Sequence, residues 1–143
     1  MERIEIFAIV HKLDNQIKRK LDKVAYKHGL TGIQAFFLKY VYDNSNDKDI
    51  FQRDLEKIFD IRRSSLSTMI SSLEKKGYIR RESIPTDKRI NKIVLTDEGL
   101  KKHIEVDSDV NRYKESLLDS FSDEEIEISY GLLEKISNKT REE

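Results

Sequence analysis

The chain has 143 residues, of which 38% are charged and 37% hydrophobic, with one proline and no cysteine. This balance is typical of a mainly helical protein with charged outer faces, and it excludes disulfides, thiolate metal sites and thiol-based redox sensing. No apolar run approaches the roughly 20 residues that span a bilayer, and the N-terminus lacks the layout of a signal peptide. We therefore expect a soluble cytoplasmic protein with no membrane partner.

The first third of the chain predicts two helices. Apolar residues recur at steps of three and four from Ile4 to about Lys27, which indicates a long amphipathic helix that ends at Gly29. Thr31 and Gln34 have the spacing of a capping box. A second helix is expected to begin there and to end in the polar loop Asp43–Lys48.

The middle of the chain predicts two shorter helices and a hairpin. The helices are expected at about Ile50–Phe59 and at Ser64–Lys76, each with an apolar stripe at helical spacing. Tyr78–Ile84 and Ile90–Leu95 are rich in β-branched and aromatic residues, which favours two antiparallel strands. The turn between them is expected at Pro85–Arg89.

Two further helices complete the chain. Thr96 caps one that runs to about Ser120, and Ser122 with Glu125 is a capping box that opens the last. The predicted fold class is mainly α with a small β-wing: six helices and a two- to three-stranded antiparallel sheet. We assign residues 30–96 to a winged helix-turn-helix. Residues 1–29 and 97–143 are assigned to a helical dimerisation region, because their long apolar stripes exceed what the small core can cover.

The predicted helix Ser64–Lys76 is the most informative segment for function. Its outer face carries short hydroxyls, which let a helix approach a DNA groove closely and bond phosphates or base edges. The alternative is a serine-rich solvated helix, but serine is a mediocre helix former. The candidate DNA-contacting residues here are Arg62, Arg63, Ser64, Ser65, Ser67, Thr68, Ser71 and Lys75.

The predicted hairpin turn supplies a second candidate contact through Asp87, Lys88 and Arg89. An arginine there can enter a minor groove, and Asp87 can orient its guanidinium. Alone, such a turn is more typical of a charged surface loop, but beside the hydroxyl-rich helix it favours DNA. The charge distribution agrees: residues 50–96 hold eleven basic and six acidic residues, whereas the remainder of this neutral chain is acidic.

Several of these segments resemble the MarR family of transcription regulators. Leu66–Ile79 is similar to that family's recognition helix and following strand, and Pro85–Arg89 with Ile93–Gly99 is similar to its wing and next helix. The resemblance implies a homodimer whose recognition helices enter successive major grooves of palindromic double-stranded DNA, with wings in the flanking minor grooves; we expect a repressor. The chain departs from the family at Thr68, where many members carry arginine, and at Phe51, where many have a capping Ser or Thr.

The resemblance also implies a pocket for a small-molecule effector, aromatic or anionic, between the dimer helices and the DNA-binding lobe. The effector would release the protein from DNA by favouring a half-site spacing that does not match. The alternative for each candidate lining residue is ordinary packing, because apolar stripes mostly pack. The candidates are His11, Phe36, Phe37 and Tyr40.

Two other classes of function compete with a DNA-binding regulator. An enzyme is not expected, nor a cofactor or metal, because the histidines (His11, His28 and His103) are scattered and no phosphate loop or nucleophile motif occurs. The alternative function is a winged helix used only for protein contacts. It predicts an apolar or acidic outer face on Ser64–Lys76 and no steep salt dependence of DNA binding.

Overall fold

The computed structural model describes residues 2–141, which form six helices and three strands. The helices are α1 (Glu5–Tyr26), α2 (Gly32–Asn44), α3 (Gln52–Phe59), α4 (Arg63–Lys75), α5 (Asp97–Leu118) and α6 (Asp123–Arg141). The strands are β1 (Ile50–Phe51), β2 (Ile79–Ile84) and β3 (Asp87–Leu95). The predicted fold class, mainly α with a small β-wing, is confirmed.

The chain divides after Val110 into two compact units. The first holds α1 to α4, the sheet and the larger part of α5, and the second holds the end of α5 and α6. The dimerisation region predicted at residues 1–29 and 97–143 does not follow this division and stays a prediction. Residues 1, 142 and 143 of that region lie outside the described residues.

The sheet has the order β1-β3-β2 with antiparallel pairing throughout. Ile50 pairs with Ile93, so the predicted third helix was wrong in its first two residues, which form β1 instead. The helix α3 begins after Phe51, whose backbone is extended and whose side chain makes no cap hydrogen bond. A capping Ser or Thr is absent at this position, and pairing with β3 holds the segment in place.

The hairpin also differs from its prediction. Strand β3 begins at Asp87 rather than Ile90, so the turn is Pro85–Thr86. The register shifts at this end of the ribbon, because Ser83 pairs with Asn91 whereas Ile84 pairs with Asp87. Residues 88–90 form a bulge between these two paired positions, and bulges of this kind re-aim side chains at strand ends.

The hydrophobic core lies in the first unit, where α2, α3 and α4 pack on the sheet. Two predicted start signals are confirmed: Thr31 and Gln34 form a reciprocal capping box on α2, and Ser122 and Glu125 form another on α6. The core residues are Ala25, Leu30, Phe37, Leu38, Val41, Ile50, Leu55, Leu66, Met69, Ile70, Leu73, Ile79, Ile93 and Val106.

Helices α1 and α6 both expose large apolar side chains to solvent, as do parts of α2, α3 and α5. On α1 these form the face that includes Ile6, Phe7, Val10 and Leu13, while Ala25 near its end is buried. In α6 none of the described residues is buried. Its exposed apolar residues are Ile128, Tyr130, Leu132 and Leu133. Soluble monomers rarely leave contiguous apolar faces uncovered, so these faces indicate an interaction surface.

The junction between the sheet and α5 is tightly packed around one glycine. The Thr96 hydroxyl accepts a hydrogen bond from the Gly99 amide at 3.0 Å and donates one to the Gly77 carbonyl at 2.5 Å. The Thr96 amide in turn bonds the Tyr78 carbonyl at 3.1 Å. A Cβ atom on Gly99 would collide with that same carbonyl oxygen, so only glycine fits at this position.

We predict that Gly99→Ala lowers the free energy of unfolding by roughly 1–3 kcal/mol, as overpacking does. In an ordinary helix interior, glycine to alanine would instead raise the free energy of unfolding by roughly 1 kcal/mol. The sign of the change therefore shows whether the close approach at Gly99 exists. Urea unfolding followed by circular dichroism measures it. Lys101→Ala, at an exposed position of the same helix, is the control and should change stability by less than about 0.5 kcal/mol. Equal stability of the two variants would contradict the close approach.

Candidate nucleic-acid interface

Helix α4 divides into a buried face and a hydroxyl-bearing face. Leu66, Ile70 and Leu73 are fully buried against the core. The helix begins at Arg63, one residue earlier than predicted, after Arg62 in an extended conformation without a side-chain cap. Of the predicted contact residues on and just before α4, Ser67 is half-buried and the others are exposed, as is Glu74: Arg62, Arg63, Ser64, Ser65, Thr68, Ser71 and Lys75.

The hydroxyls of α4 fall into two groups by their hydrogen bonds. The Thr68 hydroxyl donates to the Ser64 carbonyl at 2.9 Å, and the Ser71 hydroxyl accepts from Arg81 Nη2, also at 2.9 Å. Those of Ser64, Ser65 and Ser67 make no hydrogen bond within residues 2–141. Three hydroxyls are thus available to an incoming ligand, and three have a partner within the protein, since Ser72 accepts from Gln34 at 3.5 Å.

The wing carries the predicted pairing of Asp87 with Arg89. One Asp87 carboxylate oxygen accepts from the Arg89 amide at 3.0 Å and from Nε at 3.2 Å, and the other accepts from Nη2 at 3.4 Å. The Arg89 side chain is 90% exposed. With Lys88, both residues lie at the start of β3 and its bulge, because the turn is Pro85–Thr86 and ends three residues before the predicted Arg89.

The same hydrogen bonds hold the pKa of Asp87 below its ordinary value, chiefly through the Arg89 side chain and then its amide. A carboxyl whose pKa is lowered by folding keeps its stabilising pair above the unfolded-state pKa and loses it as the pH falls through the folded-state pKa. The pair is therefore intact at neutral pH, and acid below about pH 4 is needed to break it. Across the physiological range Asp87 therefore stays charged and can pair with Arg89.

A cleft of about 380 Å³ lies between α4 and the wing, and four arginines line it. Three have an acidic partner: Arg53 with Asp54 at 3.9 Å, Arg63 with Glu56 at 3.8 Å, and Arg89 with Asp87. The guanidinium of the fourth, Arg81, has no carboxylate partner among the described residues. The other lining residues are Gln52, Glu56, Ser67, Ile90 and Asn91.

Arg53 and Arg81 are site residues that the sequence analysis missed. A signal for Arg81 exists, because side chains two apart on a strand share one face. Arg81 follows the buried Ile79 by two positions, which places it toward α4, whereas Arg80 faces the opposite way and pairs with Glu82 at 3.0 Å. For Arg53 we find no such signal, since it lies in the first turn of a short helix whose start was misplaced.

The residues predicted to line an effector pocket are partly brought together. Phe36, Phe37 and Tyr40 surround the ring of Phe59 at centroid distances of 5.3, 5.6 and 5.7 Å. Phe37 is fully buried, whereas Phe36 is 56% exposed. The fourth candidate, His11, is exposed on α1 and bonds Asn15 of the same helix. An effector role for these residues stays a prediction.

A second cavity of about 490 Å³ lies between the start of α2 and α4, away from those aromatic residues. Its polar lining includes Gln34, which donates to the Ser72 hydroxyl at 3.5 Å. The remaining lining residues are Thr31, Ile33, Ser64, Ser65, Thr68 and Met69. The hydroxyl face of α4 is therefore bordered by a recess on each side.

The three histidines lie apart, as predicted. His28 Nε2 is 2.6 Å from a carboxylate oxygen of Asp109, which ties the end of α1 to α5. His103 is buried with its ring centroid 4.6 Å from that of Tyr42, and burial lowers its pKa. At neutral pH it is an uncharged core residue. These contacts are structural.

A helix-turn-helix whose second helix carries short hydroxyls outward, followed by a wing with an oriented arginine, defines a winged-helix DNA-binding transcription regulator. Residues 28–90 match the family model described as "MarR family". The predicted resemblance to the MarR family is therefore confirmed over this segment, which holds the helix-turn-helix and most of the wing.

Similar proteins cover almost the whole chain. The HTH-type transcriptional regulator MhqR of Bacillus subtilis (strain 168) is 22% identical over 133 residues, 93% of this chain and 90% of MhqR. The transcription regulator MarR from Oenococcus oeni PSU-1 is 26% identical with a TM-score of 0.72, covering 96% of this chain and 99% of that one. The Staphylococcus aureus MepR–DNA complex shares the fold at 24% identity and a TM-score of 0.80, covering 97% and 98%.

The relatives decide between the competing classes of function. They are transcriptional regulators, so the expectation that this chain is not an enzyme is confirmed, and so is a DNA-binding regulatory function. No helix among residues 2–141 combines the length and the apolar content needed to cross a membrane.

We predict that Arg89→Ala weakens DNA binding by roughly 1–3 kcal/mol on every sequence and reduces the salt slope by about one, as removal of a DNA-backbone contact does. Fluorescence anisotropy at several salt concentrations measures both quantities. Arg80→Ala, which removes the same charge from an ion-paired arginine outside the cleft, is the control and should change affinity much less. Equal losses in the two variants would mean that the wing arginine acts only through net charge.

Proposed function

We propose that this regulator is a homodimeric repressor that binds a palindromic operator and is released by a small-molecule effector. The observation that carries the proposal is the cleft between α4 and the wing, where four arginines meet beside the hydroxyl face of the helix. Basic and short polar side chains on one surface are what a DNA groove requires. The MepR structure, which was solved with DNA, supports this mode of binding for the shared fold.

In this proposal α4 enters the major groove. Ser64, Ser65 and Ser67 have hydroxyls available for phosphates or base edges, and short side chains allow the helix axis to approach the groove wall. Arg62 and Arg63 flank the first turn, where free backbone amides also attract a phosphate. Thr68, Ser71 and Lys75 continue the same face toward the end of the helix.

The wing extends the contact to the adjacent minor groove. Arg89 is exposed and already held by Asp87, so little side-chain entropy is lost when it inserts. A narrow minor groove concentrates negative potential and attracts such a guanidinium. Lys88, exposed beside it on the bulge, adds a charge toward the backbone.

The uncovered apolar faces support a dimer formed by residues 1–29 and 97–143. Helix α1 has 22 residues, which corresponds to about 33 Å of length, and its first half exposes one large apolar side chain after another. Helix α6 has no buried residue among those described. A second copy would cover both faces, and a two-fold dimer would place the half-sites about one DNA turn apart.

Effector release completes the proposal. An aromatic or anionic molecule that fits between the dimer helices and the DNA-binding lobe would favour a spacing of the two recognition helices that does not match the operator. Phe36, Tyr40 and His11 are partly or fully accessible for such contacts. Phe37 is fully buried and would take part only if the aromatic cluster around Phe59 opens.

The test is enrichment of a randomised duplex pool by the purified protein, followed by anisotropy on the selected sequence at two salt concentrations. We expect a palindrome with half-sites about one turn apart and an affinity that falls steeply as salt rises. No enrichment together with salt-insensitive binding would contradict the proposal. That result would favour a winged helix used for protein contacts.

The dimer has a separate test in α1. We predict that Leu13→Glu raises the dimer dissociation constant at least tenfold, because each buried leucine contributes about 1.5–3 kcal/mol and a buried carboxylate adds a penalty. Sedimentation velocity over a concentration series measures it. Asn15→Glu adds the same charge on the opposite side of α1 and should leave the dimer intact. A monomeric wild-type protein, or equal effects of both variants, would contradict this interface.

A further inference from the structure

Arg81 joins the wing to the recognition helix by three hydrogen bonds. Its Nη2 donates to the Ser71 hydroxyl at 2.9 Å and to the Ser67 carbonyl at 3.4 Å. Its backbone amide donates to the Glu74 carboxylate at 3.1 Å. Two of these bonds reach the α4 face that carries the hydroxyls, so they connect strand β2 directly to that face.

The bond from Arg81 determines what the Ser71 hydroxyl can do next. A guanidinium only donates, so Ser71 is the acceptor in this bond, which occupies one of its two lone pairs and leaves its own proton free to donate elsewhere. Thr68 has the opposite polarity: its hydroxyl donates to the Ser64 carbonyl, which leaves only lone pairs and a methyl group for another partner. Two neighbouring side chains on one exposed face thus present a donor and an acceptor.

This difference matters because base edges in the major groove are distinguished by their donors and acceptors. The proton that the Ser71 hydroxyl keeps matches guanine N7 or O6, adenine N7 or thymine O4. An acceptor at Thr68 matches the amino group of cytosine or adenine, and its methyl group matches the thymine methyl. A hydroxyl that rotates freely satisfies either kind of edge and therefore discriminates poorly.

We infer that Arg81 is a positioning residue for base recognition: it holds the Ser71 hydroxyl as a hydrogen-bond donor toward the operator, while Thr68 faces the DNA as an acceptor. The inference rests on the proposed docking of α4 in the major groove. It adds that Arg81 is the side chain that makes the Ser71 hydroxyl a hydrogen-bond donor there. Arg81 acts through Ser71, because a single nitrogen of its guanidinium, Nη2, bonds both the hydroxyl and the helix backbone.

The competing role for Arg81 is a direct contact with a DNA phosphate. Its guanidinium lines the arginine cleft without a carboxylate partner among the described residues, and its Nε is buried without a hydrogen-bond partner there. The two roles have different signatures. Removing a phosphate contact weakens binding on all sequences and lowers the salt slope by about one, whereas removing a positioning bond changes the preference at one base pair.

The experiment applies duplex-pool enrichment to the full chain and to Arg81→Ala, Arg81→Lys and Ser71→Ala, with anisotropy over a salt series. Arg81→Lys keeps the charge but replaces the planar guanidinium, whose Nη2 bonds Ser67 and Ser71, with a shorter and more flexible side chain. Arg80→Ala is the control, because it removes a neighbouring arginine that faces away from α4 and pairs with Glu82. Thermal unfolding of each variant shows that it is folded.

We expect the same symmetry-related base pair in each half-site to lose roughly 3- to 10-fold of its preference in all three variants, as removal of one hydrogen bond predicts. In Arg81→Lys the salt slope should stay at the wild-type value. The double variant Arg81→Ala/Ser71→Ala should lose no more than either single one, since both remove the same interaction. Arg80→Ala should retain the wild-type profile.

Three results would overturn the inference. The first is an unchanged sequence preference in Ser71→Ala. This result counts even if Arg81→Ala proves unstable, since Ser71 is exposed and its substitution leaves the core intact. A uniform weakening on all sequences with a reduced salt slope in Arg81→Ala assigns Arg81 to a phosphate instead. If the wild-type chain selects no sequence, the proposed operator binding fails and the inference fails with it, which distinguishes that case from the other two.

Discussion

The burial of Leu66, Ile70 and Leu73 under the sheet is the interaction on which the DNA-binding surface depends. A helix with one apolar stripe has one preferred rotation about its axis, because every other rotation exposes those side chains to water at about 1.5–3 kcal/mol each. Once that rotation is set, the 3.6-residue period places the hydroxyls of α4 on the opposite side. The interface is thus a consequence of core packing, and a core substitution under α4 would disturb it without touching DNA.

Hydrogen bonds then connect this helix to the rest of the first unit. Glu74 and Arg81 join α4 to β2, and Thr96 bonds the Gly77 carbonyl while capping the first turn of α5. Gly99 lets that turn lie directly against the Tyr78 carbonyl. Helix α4, the wing and the first turn of α5 are therefore connected by hydrogen bonds within the first unit.

Local signals in the sequence were sufficient for most of the fold. The capping residues Thr31 and Ser122 and the apolar stripe of α4 depend on neighbours within one or two turns, and all three were predicted. The pairing of Ile50 with Ile93 spans more than forty residues, and an Ile-Phe pair suits a helix or a strand equally well, so β1 was missed. The donor role of the Ser71 hydroxyl could not be predicted for the same reason, since it depends on a hydrogen bond from Arg81 on strand β2.

Because the chain has no net charge, the hydrogen bonds that Ser71 and Thr68 can offer to bases matter more in this protein than charge attraction to DNA. With equal numbers of acidic and basic residues over the whole chain, only the basic segment 50–96 attracts DNA, and at physiological salt charges further than about 8 Å apart are largely screened. Three of the four cleft arginines already have acidic partners, so a phosphate must compete with Asp54, Glu56 or Asp87 for each of them. Non-specific binding is weakened accordingly. Discrimination between sequences then depends on contacts that form only in the groove, and the oriented hydroxyls of Ser71 and Thr68 are suited to supply them.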